Sequence, residues 1–234
     1  MYNTILGAKP LEADGRTFYY SDCNFKGRKV YSPHRWPCCS GTHPQVAADY
    51  RINTYFRDGQ GVYVNLFIPS TLRWEQGGAQ IQLIQRSAYP FDGEVQFEVK
   101  VSRAAEFAVN LRIPAWAEKA SMAVNGRREP AQPGSFARVR RTWKSGDHIE
   151  LELPLAMRLE AIDPQHGDTV ALLAGPLVLF AITEAQPPIA RAQLLAAKKT
   201  GPQSWEVAST TGPVKMLPFT AIGEEQYSTY VRVT

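Results

Sequence analysis

From Gly61 onward almost every second side chain is apolar, and this period-two alternation constrains the chain more than any other feature. A strand turns successive side chains to opposite faces, so one apolar row per strand means one face on a core and one in water. Val62-Tyr63-Val64-Asn65-Leu66-Phe67-Ile68 opens the series. Residues 80–85, 95–101 and 107–113 continue it, each bounded by Gly, Pro, Asp or Ser, and read as successive antiparallel strands. Residues 121–124 run into Asn125-Gly126, a pair that accepts positive φ at both central positions of a tight turn and is a strong hairpin signal. Residues 136–143, 148–153 and 157–162 follow, with Lys144-Ser145-Gly146-Asp147 turning between the first two. Gly and Pro number 17 each in 234 residues, which suits many turns and short strands better than long helices. The pattern predicts a β-sandwich over residues 58–162.

A second β domain is expected over residues 163–234. Its residues 170–174 and 177–182 are near-continuous apolar runs parted by Gly175-Pro176, as a buried strand pair or one bent strand requires. Residues 185–213 read as connecting structure with one strand near 205–207, and 227–233 alternate as a closing strand. Before Gly61 the texture changes. Residues 1–8 resemble the tail of a helix, and 45–56 show helical spacing of Val46, Tyr50 and Tyr55. All three cysteines, Cys23, Cys38 and Cys39, lie between these two stretches.

Charge and hydropathy exclude some partners. The 26 basic and 22 acidic side chains leave a net +4, too mild for a nucleic-acid surface. No run reaches the roughly 18 apolar residues of a membrane span, and residues 1–9 lack the pattern of a signal peptide.

The chemistry-bearing stretch is Trp36-Pro37-Cys38-Cys39-Ser40-Gly41-Thr42-His43. Adjacent cysteines bond to each other poorly, and three cysteines do not make a disulfide framework. Cys38 and Cys39 therefore read either as buried, inert thiols or as two soft ligands of one metal, with zinc the best match. Zinc takes four ligands, and Cys23, His34 and His43 are the nearby residues of suitable type, none at a diagnostic spacing. His148 beside Asp147 and His166 beside Asp168 read as solvated turn residues. Arg138, Arg140 and Arg141 read as part of a solvated sheet face, and Trp74, Trp116, Trp143 and Trp205 as core or rim packing.

Taken in order, Trp36-Pro37-Cys38-Cys39-Ser40-Gly41-Thr42, Val62-Tyr63-Val64-Asn65-Leu66, Leu111-Arg112-Ile113-Pro114-Ala115-Trp116, Val124-Asn125-Gly126, Trp143-Lys144-Ser145-Gly146-Asp147 and Gly175-Pro176-Leu177 resemble the C-terminal half of glycoside hydrolase family 127, which contains β-L-arabinofuranosidases. The resemblance implies a mainly β chain: two antiparallel β-sandwich-like domains, at 58–162 and 163–234, preceded at 1–57 by the C-terminal remnant of an (α/α)6 barrel. It implies a retaining hydrolase in which the Cys38 thiolate attacks the anomeric carbon. Cys38 and Cys39 would bind zinc together with a Glu and a Cys from upstream, and Tyr20, with Tyr19 as the alternative, would contact the substrate. An arabinofuranoside or related glycoside is the implied substrate, with no nucleic acid or membrane partner. A homodimer through the β domains is a further expectation. The acid/base Glu would also lie upstream of Met1, so the chain alone is expected to be inactive, as a C-terminal fragment of the enzyme. A thiolate nucleophile leans towards a reducing, cytoplasmic setting. Other readings are a non-catalytic accessory, carbohydrate-binding or oligomerisation module, and a stand-alone zinc or redox protein built on Cys38 and Cys39. The motif Cys38-Cys39-Ser40-Gly41-Thr42 differs from the Cys-Cys-Pro-Pro-Asn form of the better-known arabinofuranosidases, which leaves the sugar open.

Overall fold

The computed structural model describes residues 2–7, 16–21, 26–32 and 38–234 of the chain, which is mainly β. It divides into two compact units, Ala47–Leu155 and a discontinuous one made of Met1–Val46 with Ala156–Thr234.

The discontinuous unit begins with a short 3-10 turn at Ile5–Gly7. The helix tail expected over residues 1–8 is absent from the described residues 2–7. Both polar groups of the Asn3 side chain are instead engaged with a later hairpin, accepting from the Val178 N–H at 2.9 Å and donating to the Pro176 carbonyl at 3.1 Å. β1 (Thr17–Ser21) and β2 (Lys29–Ser32) pair antiparallel as a small sheet of their own, and α1 follows at Cys38–Ile52.

α1 starts earlier and stops earlier than the expected 45–56. Pro44 sits inside it, where its missing N–H forgoes one helical hydrogen bond. Its end has a clear cause. Asn53 Nδ2 donates to the Asp49 carbonyl at 2.7 Å and Thr54 Oγ1 to the Arg51 carbonyl at 2.7 Å, satisfying carbonyls that the helix leaves open. Tyr55, whose spacing reads as helical, is already in a strand and packs on the core of its own unit, Ala47–Leu155.

In Ala47–Leu155 the strands are β3 (Tyr55–Arg57), β4 (Gly61–Val64), β5 (Ser70–Gln76), β6 (Ala79–Ser87), β7 (Glu94–Val101), β8 (Ala105–Ile113), β9 (Ser121–Val124), β10 (Arg127–Pro130), β11 (Ser135–Trp143) and β12 (His148–Glu152). They form a six-stranded sheet in the order β10-β9-β12-β7-β6-β5 and a four-stranded sheet in the order β11-β8-β4-β3. One core collects the inward rows of both: Ile81 and Leu83 of β6, Val95, Phe97 and Val99 of β7, Phe107, Val109 and Leu111 of β8, and Ile149 and Leu151 of β12. Trp74 meets Phe107 edge-on at 5.4 Å, and Phe107 stacks on Trp143 at 5.7 Å. Asn125 and Gly126 take φ of 49° and 84°, the hairpin expected from the sequence, and Val124 faces Arg127 across it.

Two features of this unit depart from expectation. β4 and β8 pair in parallel, so the strands are not all antiparallel. The chain leaves β4 for the other sheet, builds β5, β6 and β7 there, and returns beside β4 in the same direction. β5 is a strand that the alternation hides. Within Ser70–Gln76 only Trp74 is buried, because β5 lies at the edge of its sheet.

The remaining strands are β13 (Met157–Ala161), β14 (Thr169–Ala174), β15 (Leu177–Ile182), β16 (Lys198–Gly201), β17 (Ser204–Val207), β18 (Val214–Pro218), β19 (Tyr227–Ser228) and β20 (Val231–Arg232), with α2 at Arg191–Leu195. All eight strands join one sheet, in which β14 and β15 form the buried antiparallel pair. β13 pairs with β14, Met157 against Ala174 and Leu159 against Leu172, and so belongs here and not with the middle strands that precede it. The N-terminal segment docks on this sheet. Gly27 and Tyr227 exchange backbone hydrogen bonds at 2.8 and 3.0 Å, and the buried Lys29 ammonium donates to the Ile222 carbonyl at 2.5 Å above the Phe219 ring.

Candidate functional site

The backbone places Cys38 and Cys39 as the first two residues of α1. The N–H groups of a helix's first turn have no intrahelical partner, and with the helix dipole they favour a thiolate over a thiol. Cys38 and Cys39 thus open a helix of 15 residues. The side chains of Cys38, Cys39 and Tyr20 lie outside what is described, as do Cys23 and His34 altogether.

Tyr20 is on β1, its backbone paired with Val30. The register slips between Phe18 and Tyr20, which leaves Tyr19 as the extra residue of a bulge. The two tyrosines that compete for the substrate-contact role therefore flank a local irregularity. The strand pair itself is a feature that sequence reasoning misses, although the alternation Lys29-Val30-Tyr31-Ser32 carries its signal.

His43 stands one helical turn after Cys39, and its Nε2 is 2.7 Å from the Ile5 carbonyl oxygen. That contact ties the ring to the N-terminal segment. Among the described residues no three of His, Cys, Asp or Glu gather closely enough to hold a metal ion. In kind, two thiols suit zinc; in number they are half of the four ligands it takes.

The weaker constellations resolve as structure. His166 Nδ1 lies 2.8 Å from both oxygens of Asp163, whose pKa is lowered chiefly by that hydrogen bond, while Asp168 is held low by a hydrogen bond from Arg232. His166 thus pairs with Asp163, and Asp168 with Arg232. Trp74, Trp143 and Trp205 are core residues, and Trp116 packs half-buried against the same core as the first two. Arg138 and Arg140 do lie on a solvated sheet face.

Asp147 closes the turn that carries the chain from β11 in one sheet to β12 in the other. Burial raises its pKa, but hydrogen bonds from the Lys144 N–H at 2.9 Å and Asn125 Nδ2 at 2.8 Å, with Arg141 nearby, outweigh burial and hold it below the usual value. A carboxyl with a depressed folded pKa stabilises the fold above its unfolded pKa, and that contribution is lost as pH falls through the folded value. Asp147→Asn is therefore expected to cost about 1.5 kcal/mol near pH 6. Urea titrations should show the variant and the parent converging as the pH drops below the folded pKa. A gap that stays constant down to acid pH would assign the loss to shape and not to charge.

Against known proteins, residues 61–155 match the family model described as the middle domain of GH127 β-L-arabinofuranosidase. No curated protein matches the sequence. Among solved structures, a GH127 β-L-arabinofuranosidase from Geobacillus stearothermophilus T6 shares 20% identity at a TM-score of 0.77, covering 98% of this chain and 44% of that one. A glycoside hydrolase shares 21% at 0.78, covering 100% and 47%, and a GH127 β-arabinofuranosidase shares 17% at 0.74, covering 98% and 44%. The likeness shows a common fold along the chain, which spans less than half the length of each of these structures. No helix among the described residues is long and apolar enough to cross a membrane.

Proposed function

We infer, from the match of residues 61–155 to the middle domain of GH127 β-L-arabinofuranosidase, a role as the C-terminal portion of a retaining β-L-arabinofuranosidase-type enzyme with Cys38 as nucleophile. The observation that carries the reading is the conjunction of that domain with a Cys-Cys pair opening α1, ahead of it in the chain. On this reading α1 and the β1–β2 pair are the end of an (α/α)6 barrel, and the sheets that follow form two β-sandwich domains.

Cys38 attacks the anomeric carbon as the thiolate, forming a carbon–sulfur bond as the bond to the leaving oxygen breaks. A carboxylic acid protonates that oxygen and then, as carboxylate, takes a proton from the water that releases the sugar with retained configuration. Here sulfur replaces the carboxylate nucleophile of the usual two-carboxylate scheme. Cys38 and Cys39 would hold zinc, which when bound keeps its cysteine ligands deprotonated. Tyr20, or Tyr19 beside it, contacts the substrate. The acid/base carboxylate and two further zinc ligands come from outside this chain, so the 234 residues alone are inactive.

The test is zinc content and hydrolysis of an aryl β-L-arabinofuranoside by the chain and by Cys38→Ala. No turnover and substoichiometric zinc are expected. Turnover abolished by Cys38→Ala would keep the nucleophile and overturn the inactivity; turnover that survives the substitution would overturn the nucleophile itself. A second reading, a non-catalytic accessory module, is favoured by one observation: Ala47–Leu155 is a compact unit with its own core, and the family match ends where that unit ends.

A further inference from the structure

β1 and β2 make a sheet of only two strands, and an isolated strand pair is marginal in water, so its stability comes from what it docks on. Its described anchors are on the C-terminal part of the same unit. Gly27 exchanges two backbone hydrogen bonds with Tyr227, at 2.8 and 3.0 Å. The Lys26 carbonyl accepts from Gln226 Nε2 at 3.2 Å, and Arg28 Nη1 donates to the Glu224 carbonyl at 2.9 Å. Lys29 Nζ donates to the Ile222 carbonyl at 2.5 Å and stands 4.5 Å from the centre of the Phe219 ring, which lies in the 3-10 turn Phe219–Ala221.

Of these cations Lys29 alone is buried, at 8% exposure, while Lys26 and Arg28 are exposed. Taking an ammonium out of water is costly, and an apolar side chain beside the buried Phe219 and Ile222 would avoid that cost. What the charge adds is direction. A carbonyl and a ring face receive it, and both are in reach only with β2 seated as it is. A slip of one residue would turn every side chain of β2 over and bring Arg28 or Val30 to this place. Fixing a register is the best-attested use of a buried charge. β1 follows β2, because Ser21 pairs with Lys29 and Tyr20 with Val30.

We propose that Lys29 is a positioning residue of the candidate site: its ammonium pins the register in which the β1–β2 pair docks on the C-terminal sheet, and so fixes the strand that carries Tyr19 and Tyr20. The C-terminal β domain then takes part in building the site. The substrate role of the tyrosines rests on the glycosidase reading, whereas the pin does not.

Amide hydrogen exchange followed by NMR on the 234-residue chain, on Lys29→Met and on Lys29→Arg tests the assignment. In Lys29→Met the protected amides of Thr17–Ser21 and Lys29–Ser32 should exchange roughly tenfold faster or more, as the loss of one charge-assisted hydrogen bond implies. Amides of the buried β14–β15 pair should stay within about threefold of the parent, because methionine keeps the volume of the site. Lys29→Arg keeps a charged donor and should restore most of the protection. The proposal is overturned if the two strands exchange unchanged in Lys29→Met, or if arginine protects them no better than methionine does. It is overturned too if β14 and β15 lose protection by the same factor or Lys29→Met does not fold, since Lys29 would then support the whole unit and not one register. No turnover enters this readout, so the two readings fail separately. Turnover that survives Cys38→Ala loses the nucleophile and leaves the pin, while unmoved β1 and β2 lose the pin and leave the nucleophile.

Discussion

Trp143→Ala is expected to lower the stability of the middle unit by about 4 kcal/mol, within the range for emptying a buried tryptophan site. Three contacts are lost together. The ring is fully buried, stacks on Phe107 at 5.7 Å and donates its indole N–H to the Phe107 carbonyl at 2.9 Å, so alanine leaves a cavity and an unmatched acceptor. Trp143→Phe refills most of the volume without the donor and should cost about half as much. Urea unfolding followed through the middle unit's transition measures both. A loss below about 1 kcal/mol for the alanine variant would mean that the Trp143 side of the core can collapse around the gap.

Gly61→Ala should be comparably damaging, for a steric reason. β4 runs so close to β8 that a Cβ at Gly61 would sit 2.0 Å from the Ala108 carbonyl oxygen and 2.7 Å from its carbon, both backbone atoms that cannot rotate away. Relief requires β4 to move off a strand whose other face is core, at about 3 kcal/mol, the upper end of the usual overpacking cost. Gly59→Ala is the internal control. Nothing lies within 4 Å of a Cβ there, so that variant should be neutral or gain a few tenths of a kcal/mol from a stiffer unfolded chain. Equal losses at the two glycines would remove the close approach of β4 to β8 as the explanation.

Much of the middle unit is legible in sequence because alternation reports which face a residue takes. Val95, Phe97 and Val99 are inward in β7, and Asn125-Gly126 forms the hairpin its conformational preferences demand. Alternation does not report a strand's partner. The parallel pairing of β4 with β8 and the union of β13 with β14 are decided by long-range packing that no local run encodes. β5 escapes notice for a related reason: an edge strand buries only Trp74, and the better signal is the Gly77-Gly78 turn that follows it. At the candidate site the Cys38-Cys39 pair stands out by its chemistry, while its place at a helix start is masked by Pro44, which reads as a break. Arg138, Arg140 and Arg141 are visible as a run.

The discontinuous unit has a consequence for the order in which the protein is made. Gly27 meets Tyr227, Lys29 meets Ile222 and Asn3 meets the Pro176 hairpin, so each early residue bonds to one synthesised far later. Ala47–Leu155, by contrast, is complete in itself once its last strand has left the ribosome. Domains generally fold as units during synthesis. The middle unit can therefore close before the sheet that Asn3, Gly27 and Lys29 bond to has been synthesised, and those bonds form only afterwards.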